Sequence, residues 1–404
     1  MILVSVSLFL FFVLGMLLLY REGLLRGAAA VIGSAILLGG ALVLRAVLFG
    51  AESDDYLDFL LPWVSFFRDN GGFKALGLHI GNYNPPYLYF LALFSYFNVD
   101  PLYLIKLLSV LFDLLLAWAC TKLASLYEKN GVALLVCFFV VLLLPTVVLN
   151  GAYWGQCDSI YCFFGVMGLY LALSGRPVGS MLCAAASFAF KLQAVFFLPV
   201  YFVLLLAKKI RPAHLLVFPV AYIVYMLPVF IAGGSFIDTL TLYIRQAGTV
   251  GDAMNYNAPS LTSVFAWQGD TVLWSKLLII AAFAFLFALY AVAVIYRKRL
   301  DDRVLLAFAA VIAVAVPFIL PHMHDRYFYP AGMLLIVLFI SDPRYFAAPV
   351  LAELASLHCY YAYFARYYLV APKVGGLCLL IVLALTLLYL SAAIKKSEKR
   401  EKSP

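Results

Sequence analysis

Long apolar runs recur from one end of this chain to the other, and they constrain its fold more than any other feature. Each run is about 20 residues long, the length that an α-helix needs to cross the hydrocarbon core of a bilayer. Only 12% of the 404 residues are charged, whereas soluble domains carry about 25%. An outer-membrane barrel would show short alternating segments instead. The sequence therefore predicts an all-α polytopic membrane protein, forming a single domain over residues 1–404.

The apolar runs divide the chain into about thirteen predicted spans. They cover 2–20, 27–50, 102–126, 132–149, 158–174, 178–190, 192–207, 213–232, 273–296, 303–320, 327–341, 344–365 and 375–394. Strict alternation places every strongly basic turn, and the basic tail 395–404, on one side. Short basic loops mark the cytoplasmic side, so the net charge of +8 reflects topology, and we expect no nucleic-acid partner.

The opposite, outer side receives the long polar interruptions. The largest are the first outer loop, 51–100, and the loop 233–272. Within the first loop, the apolar positions of Tyr56–Asp69 and Pro86–Phe97 predict two short helices that lie in the membrane interface. Function is therefore expected on the outer, extracytoplasmic face of the cell membrane, among membrane lipids.

The first outer loop contains the adjacent carboxylates Asp54 and Asp55. Such a pair can act as a general base, bind a metal ion, or serve as solvated cap residues at a helix start. A loop folded back over a membrane cavity would bring a base within reach of a substrate. Asp54 and Asp55 are therefore candidate catalytic residues.

Lys191 and Gln193 follow the short predicted span 178–190, which at about 20 Å is too short to cross the bilayer. A lysine at such a break is costly unless it is paired or functional. A snorkelling lysine is the alternative. We favour an anion-binding role for Lys191.

The segment 321–330 holds the densest polar cluster between two spans, His322-Met323-His324-Asp325-Arg326-Tyr327. The two histidines could bind zinc, although the HExxH pattern is missing. Arginine gives permanently charged, bidentate contacts to phosphate. His324 and Arg326 are therefore candidate phosphate-binding residues, with an ordinary charged loop as the alternative.

Three further motifs carry amide, carboxylate and aromatic side chains that suit sugar hydroxyls. They are Asn82-Tyr83-Asn84-Pro85-Pro86-Tyr87, Gly155-Gln156-Cys157-Asp158-Ser159 and Asn255-Tyr256-Asn257-Ala258-Pro259. Ser, Asp and Gln at 156–159 could instead cap a helix. The candidate sugar- or acceptor-binding residues are Asn84, Tyr87, Gln156, Asp158, Gln193 and Asn257.

Together, the predicted topology places a carboxylate base, cations and hydroxyl-binding groups on one face. A base can take a proton from an acceptor hydroxyl while cations stabilise a departing phosphate. This combination is typical of glycosyl transfer from a lipid-phosphate donor.

These motifs, spread over residues 52–330, resemble the GT-C superfamily of membrane glycosyltransferases, which use polyprenyl-phosphate sugars. The sequence is most similar to bacterial mannosyltransferases related to the enzyme that adds the second mannose of GPI anchors. The resemblance rests on Asp55-Tyr56 with Trp63 and on the motifs at 82–87, 155–159, 191–193 and 324–327. It implies eleven to thirteen helices, inversion at the anomeric carbon, and Asp55 rather than Asp54 as the base. In similar proteins the last motif reads His-Glu-Arg-Tyr, so a contact by the shorter Asp325 is not implied.

The sequence thus predicts an inverting transferase that moves a hexose, with mannose favoured, from polyprenyl phosphate to a glycan, lipid or protein acceptor. A transporter or flippase for lipid-linked sugars is the main alternative, and a non-catalytic subunit of a glycosylation complex is a third. Transporters usually show paired repeats, and we find no internal repeat. No metal is assigned: Asp54, Asp55 and Asp158 could ligate Mg²⁺ or Mn²⁺, but the loops contain no committed ligand set.

Overall fold

The chain folds almost entirely into helices. A computed structural model describes residues 2–247, 251–265, 267 and 269–401. The first ten helices are α1 (Ile2–Arg21), α2 (Ala28–Leu48), α3 (Leu61–Asp69), α4 (Pro85–Phe94), α5 (Pro101–Ala124), α6 (Gly131–Leu143), α7 (Pro145–Val148), α8 (Asp158–Leu173), α9 (Pro177–Phe190) and α10 (Val200–Leu206). The others are α11 (Pro212–Leu215), α12 (Val217–Ile231), α13 (Phe236–Leu240), α14 (Leu242–Ala247), α15 (Leu261–Val264), α16 (Thr271–Ile295), α17 (Asp302–Ile319), α18 (Tyr329–Ser341), α19 (Ala347–Ala365) and α20 (Lys373–Glu401).

Shorter elements interrupt this helical order. Tyr56–Leu60 and Leu149–Trp154 are π-helical, and four 3₁₀ turns cover Gly72–Gly77, Leu192–Phe196, Arg297–Arg299 and Pro343–Tyr345. Two strands, β1 (Asn255–Tyr256) and β2 (Met323–His324), pair in parallel. The sequence analysis predicted no strand.

The predicted membrane class is confirmed. Seven of the described helices are long and apolar enough to cross a membrane, and there are eight if the bent pair Gly131–Leu143 and Pro145–Trp154 counts as one span. Four more apolar helices, among them Asp158–Leu173 and Pro177–Phe190, are shorter. About thirteen spans were predicted, but the predicted spans 158–174, 178–190 and 327–341 form shorter apolar helices. The predicted span 192–207 contains only a 3₁₀ turn and the seven-residue helix α10, and α19, in 344–365, is not among the seven. Helices α11 and α12 count together as one span, Pro212–Ile231.

Proline explains the bend in the predicted span 132–149. Pro145 has no backbone N–H and its ring clashes with the preceding turn, so a helix cannot run straight through it. Helix α6 accordingly ends at Leu143, and the chain turns by 45° before α7 and the π-helical segment. This bend directs Leu149–Trp154 away from the axis of α6.

The chain forms two compact units. The first contains the described residues of 1–168, 181–192 and 216–249, and the second contains those of 169–180, 193–215 and 250–404. In the second unit, α17 is buried along nearly its whole length and packs against α18 and α20.

A fully buried ion pair joins α2 to α5 in the first unit. The Arg45 guanidinium donates to the Asp113 carboxylate at 3.0 Å, and neither side chain is exposed. Arg45 also donates to the carbonyl of Leu142 at 2.7 Å, and Ser159 donates to the other oxygen of Asp113. One network therefore ties α2, α5, the end of α6 and the start of α8 together.

A second buried cation closes the end of α2. The Lys106 ammonium donates to the carbonyls of Leu48, Phe49 and Ala51 at 3.1, 3.1 and 2.5 Å. These carbonyls lie at the C-terminus of the helix, where a positive charge is favourable. Lys106 thereby fixes the point from which the first outer loop departs.

The buried pair makes a prediction about stability. Asp113→Ala leaves the Arg45 guanidinium buried without its carboxylate, so we expect a loss of about 3–5 kcal/mol in the free energy of unfolding. The double variant Arg45→Met/Asp113→Leu should recover most of that loss, because no charge remains buried. Thermal unfolding of the purified variants in detergent measures both effects.

A matched control is Lys209→Met, which breaks a partly exposed ion pair with Asp302 (2.7 Å). Partly exposed pairs contribute less than about 1 kcal/mol. If the Asp113→Ala and Lys209→Met proteins unfold at the same temperature, the role assigned to the buried pair is contradicted.

Candidate active site

The first outer loop brings Asp55 to the start of the π-helical segment Tyr56–Leu60. Asp54 is exposed, whereas Asp55 is half-buried. Tyr56, the next residue, is buried and donates its hydroxyl to Asp100 at 2.9 Å. Burial, reinforced by Asp100, raises the pKa of the Tyr56 phenol, so it remains a proton donor to Asp100. The buried Tyr56 thus anchors the loop beside Asp55.

Two side chains from the 149–157 segment hold the Asp55 carboxylate. The Trp154 indole donates to Asp55 Oδ2 at 2.9 Å, and the Gln156 amide donates to the same oxygen. Ser53 in turn donates to the Trp154 carbonyl at 2.7 Å. The two segments, about a hundred residues apart in sequence, are therefore joined at Ser53 and at Asp55.

The π-helical segment Leu149–Trp154 gives the 154–156 region its shape. It ends at Gly155, whose φ of +79° lies in the left-handed region that glycine adopts without steric cost. The reversed chain is held by Gln156 N–H donating to the Asn150 carbonyl at 2.9 Å. Ser109 of α5 donates to the Gln156 carbonyl at 2.7 Å. Irregular π-helical turns occur often at functional sites, and here the turn aims two donors at one carboxylate.

A buried ion pair lies two residues further along the chain. Lys191 Nζ is 2.5 Å from Asp158 Oδ1, and the two side chains are 6% and 1% exposed. Asn150 donates to the other oxygen of Asp158 at 2.8 Å. The rings of Tyr83 and Tyr161 each lie 5.9 Å from the Lys191 ammonium. Because α9 ends at Phe190, Lys191 sits at the helix break where the sequence analysis placed it.

The remaining candidates of the first unit are Asn84 and Tyr87. Asn84, fully buried, donates to the Tyr222 hydroxyl at 2.9 Å, and Tyr87 is buried in the first turn of α4. Within the described part of the chain, Asn84 Oδ1 and Gln156 Oε1 are buried without a hydrogen-bond donor. Leaving a buried acceptor unmatched costs free energy. Substrate hydroxyl groups would satisfy these two oxygens.

The second unit gathers the other predicted residues around the two-stranded pairing. Tyr256 pairs in register with His324, and their rings stack at 4.8 Å with an angle of 11°. Tyr327 packs against the same imidazole at 5.1 Å. Arg326 is 17% exposed, and its guanidinium lies 3.9 Å from Asp325, at the limit of an ion pair.

Asn257 is the hub of this second cluster. Its φ of +64° is left-handed, and its amide donates to Asp325 at 3.1 Å and to the Cys359 carbonyl at 2.7 Å. The Tyr368 hydroxyl donates to the Asn257 carbonyl oxygen. Burial, with the nearby Asp325, raises the pKa of Tyr368 to about 12, so the phenol stays protonated. The shorter Asp325 therefore makes a contact that the resemblance left open.

Gln193 is the last of the predicted binding residues. Gln193 lies in the 3₁₀ turn after Lys191 and belongs to the second unit; its Oε1 is buried with no donor among the described residues. Across the same residues, no group of three His, Cys, Asp or Glu side chains could hold a metal ion. Asp54, Asp55 and Asp158 therefore do not form a shared ligand set.

Several contacts of the candidate site were not predicted from the sequence. No role was assigned to Trp154, Asn150 or Tyr368, nor to the supporting pair Arg45 and Asp113. The last two carried a usable signal, because ionisable residues inside predicted spans are rare and need partners. No comparable sequence signal marks Trp154 or Tyr368, since aromatic residues are frequent throughout this chain.

The helical membrane fold and the held carboxylate define the class: a multi-pass membrane protein with a polar site suited to group transfer. Within that class, the family model of glycosyltransferase family 87 matches residues 82–321. The match covers more than half of the chain, which therefore belongs to this family, a GT-C-like family of glycosyltransferases. No curated protein gives a significant match. The family assignment confirms the prediction of a glycosyltransferase, and it covers Lys191 and Asp158 but begins after Asp55.

The hold on Asp55 makes a prediction about activity. Trp154→Phe keeps the ring but removes one donor to the carboxylate, so we expect glycosyl transfer to fall about tenfold, as for loss of a hydrogen bond to a charged group. A steady-state transferase assay measures the effect.

Trp118→Phe is the matched control, since the Trp118 indole also donates to a carboxylate, that of Glu22, at 3.0 Å. We expect its activity to stay near that of the unmodified protein. Equal activities for the two variants would show that the Trp154 contact does not serve Asp55.

Proposed function

We propose that this protein is an inverting glycosyltransferase that moves a hexose, mannose above others, from a polyprenyl-phosphate donor to an acceptor on the extracytoplasmic side of the membrane. The observation that carries the proposal is the Asp55 carboxylate, held by Trp154 and Gln156 in a chain of a glycosyltransferase family. A general base needs a fixed position within reach of the hydroxyl that it deprotonates. The two hydrogen bonds to its carboxylate and its partial burial support Asp55 as the base.

In the proposed reaction, the acceptor oxygen forms a bond to the anomeric carbon while the bond from that carbon to the phosphate oxygen breaks. The acceptor proton passes to Asp55, and the electron pair leaves on the polyprenyl phosphate. A single displacement of this kind inverts the anomeric configuration. This reaction requires one base and a cation that stabilises the departing phosphate.

Lys191 is the proposed cation in the first unit. Its ammonium has three N–H donors, and Asp158 Oδ1 accepts one of them. Asp158 and Asn150 hold the lysine in place, and the low polarity of the site strengthens its attraction to a phosphate oxygen. The pairing explains how a lysine is tolerated in a buried position.

The donor and the sidedness of the site rest on sequence arguments. The resemblance to bacterial relatives of the GPI second-mannose transferase favours polyprenyl-phosphate mannose. The basic turns favour an extracytoplasmic position for the loop that carries Asp55. A transporter for lipid-linked sugars gains no support from the family assignment, which favours an enzyme.

Incubation of the purified protein with labelled polyprenyl-phosphate mannose tests the proposal. Release or transfer of labelled mannose supports an enzyme, whereas an inert protein that moves the intact donor across vesicle membranes supports the transporter alternative.

Asp55→Asn should lower the rate of sugar transfer by on the order of 10²–10⁴-fold, because the amide cannot accept the acceptor proton. The carboxamide is nearly isosteric, so folding should be preserved, as a size-exclusion profile would show. Asp58→Asn, at an exposed position one turn further on, is the matched control and should remain active. A larger loss in Asp54→Asn than in Asp55→Asn would assign the base to Asp54 instead.

For the second unit, considered separately, we propose that Arg326, with His324 beside it, contacts an anionic group of a substrate. Arg326→Lys keeps the charge but loses the planar fork that binds a phosphate through two hydrogen bonds. We expect the KM for the donor to rise about tenfold, the size of a lost charge-assisted hydrogen bond. Arg344→Lys, at an exposed arginine that pairs with Asp342, is the control, and a donor KM equal in both variants would contradict this role.

A further inference from the structure

A cavity in the first unit shares one lining residue, Tyr83, with the surroundings of Lys191. Its volume is about 320 Å³, and it lies between the 76–88 segment of the first outer loop and residues 229–245. Its wall includes Tyr83, whose ring also lies 5.9 Å from the Lys191 ammonium. Tyr83 therefore contributes both to this cavity and to the surroundings of the buried ion pair.

The polar groups of the cavity are few and placed together. Arg245 donates to the Asp238 carboxylate at 2.6 Å and to the Asp238 carbonyl at 2.5 Å. His79 lies on the same lining and interacts electrostatically with Asp238. Ser235, which caps the short helix α13, is an uncharged residue of the lining. The lining thus presents a paired guanidinium and carboxylate, whose side chains are 47% and 55% exposed, among mostly apolar residues.

The cavity wall depends on close backbone packing. A Cβ atom on Gly77 would lie 2.1 Å from the Ala232 carbonyl oxygen, and one on Gly234 would lie 2.4 Å from Val229 and 3.5 Å from the Gly77 Cα. Only glycine permits this approach of the two segments. The cavity is therefore a built feature of the packing and not a gap between loose loops.

An aromatic ring beside a carboxylate–guanidinium pair suits a neutral saccharide. A carboxylate accepts hydrogen bonds from sugar hydroxyls and a guanidinium donates to adjacent ones, while the apolar face of a sugar packs on an aromatic ring. The volume lies at the lower end of small-molecule sites, which suits a single sugar unit. Because Asp238 and Arg245 neutralise each other, the pair does not select for an anion.

Resting on the proposed function, the geometry points to this cavity as the site for the acceptor: a neutral hexose unit bound by Asp238, Arg245 and the ring of Tyr83. The acceptor would then be a saccharide, free or at the end of a larger glycan or glycolipid.

Saturation-transfer NMR on the purified full-length protein tests binding directly. The probes are methyl α-D-mannopyranoside, methyl α-D-glucopyranoside and methyl α-D-galactopyranoside, without any donor. We expect at least one of them to receive saturation from the unmodified protein and equally from Asp55→Asn. Asp238→Asn and Arg245→Gln should each weaken that binding about tenfold, while Arg344→Gln, at the exposed pair with Asp342, should not.

The same variants are then assayed with labelled polyprenyl-phosphate mannose as donor and the bound glycoside as acceptor. We expect the acceptor KM to rise about tenfold in Asp238→Asn and Arg245→Gln. Gly77→Val, which forces the two segments apart, should reproduce that increase in a protein that still elutes as a folded species.

The two proposals fail separately in these measurements. Saccharide binding without any transfer would overturn the proposed function and leave the saccharide site standing. Transfer with an unchanged acceptor KM in the Asp238 and Arg245 variants, or a raised donor KM alone, would overturn the assignment of this cavity. So would an unmodified protein that binds none of the three glycosides.

Discussion

The buried ion pair between Arg45 and Asp113 is the interaction on which the first unit depends. Charges in an apolar interior are costly unless they are paired and hydrogen-bonded, so this pair permits little displacement of the helices that carry it. Ser159, hydrogen-bonded to the same carboxylate, fixes the first turn of α8. The neighbouring residue is Asp158, which holds Lys191. One structural ion pair thus positions a second that is proposed to act on substrate.

Hydrogen bonds also fix the position of Asp55. Lys106 fixes the end of α2 through three carbonyls, and the loop that leaves this helix is joined to Trp154 and Gln156 within a few residues. The π-helical turn and Gly155 supply a backbone path that a regular helix could not. Preorganised groups of this kind lower a barrier because they need no rearrangement when charge develops. The site is therefore rigid where protons and phosphate would be handled.

Much of the fold followed from the sequence because bilayer thickness sets helix length. The class and the short helices of the first loop were predicted, with α3 and α4 within a few residues of the expected bounds. The preference for Asp55 over Asp54 came from a family resemblance and stays a prediction, which the contacts of Trp154 and Gln156 with Asp55 support. The pairing of Lys191 with Asp158 was not predicted, since periodicity says which face a residue lies on but not which residue it meets 33 positions away.

Other contacts lay outside the reach of such arguments. The pairing of Tyr256 with His324 joins two-residue strands, too short to leave an alternating pattern. The break at Lys191 was predicted from helix length, whereas the number of full spans was overestimated because short apolar helices and true spans have the same composition. Tertiary partners decide these cases, and a single sequence does not encode them in its local pattern.

The central claim is that Asp55 receives the acceptor proton beside a donor phosphate held by Lys191. A structure of the full-length protein with a non-hydrolysable polyprenyl-phosphonate mannose analogue and the saccharide acceptor tests it most directly. The account predicts the acceptor hydroxyl within about 2.6–3.2 Å of Asp55 and a phosphonate oxygen on the Lys191 ammonium. A ternary complex in which Asp55 stays out of reach of the acceptor, with the phosphonate bound away from Lys191, would contradict it.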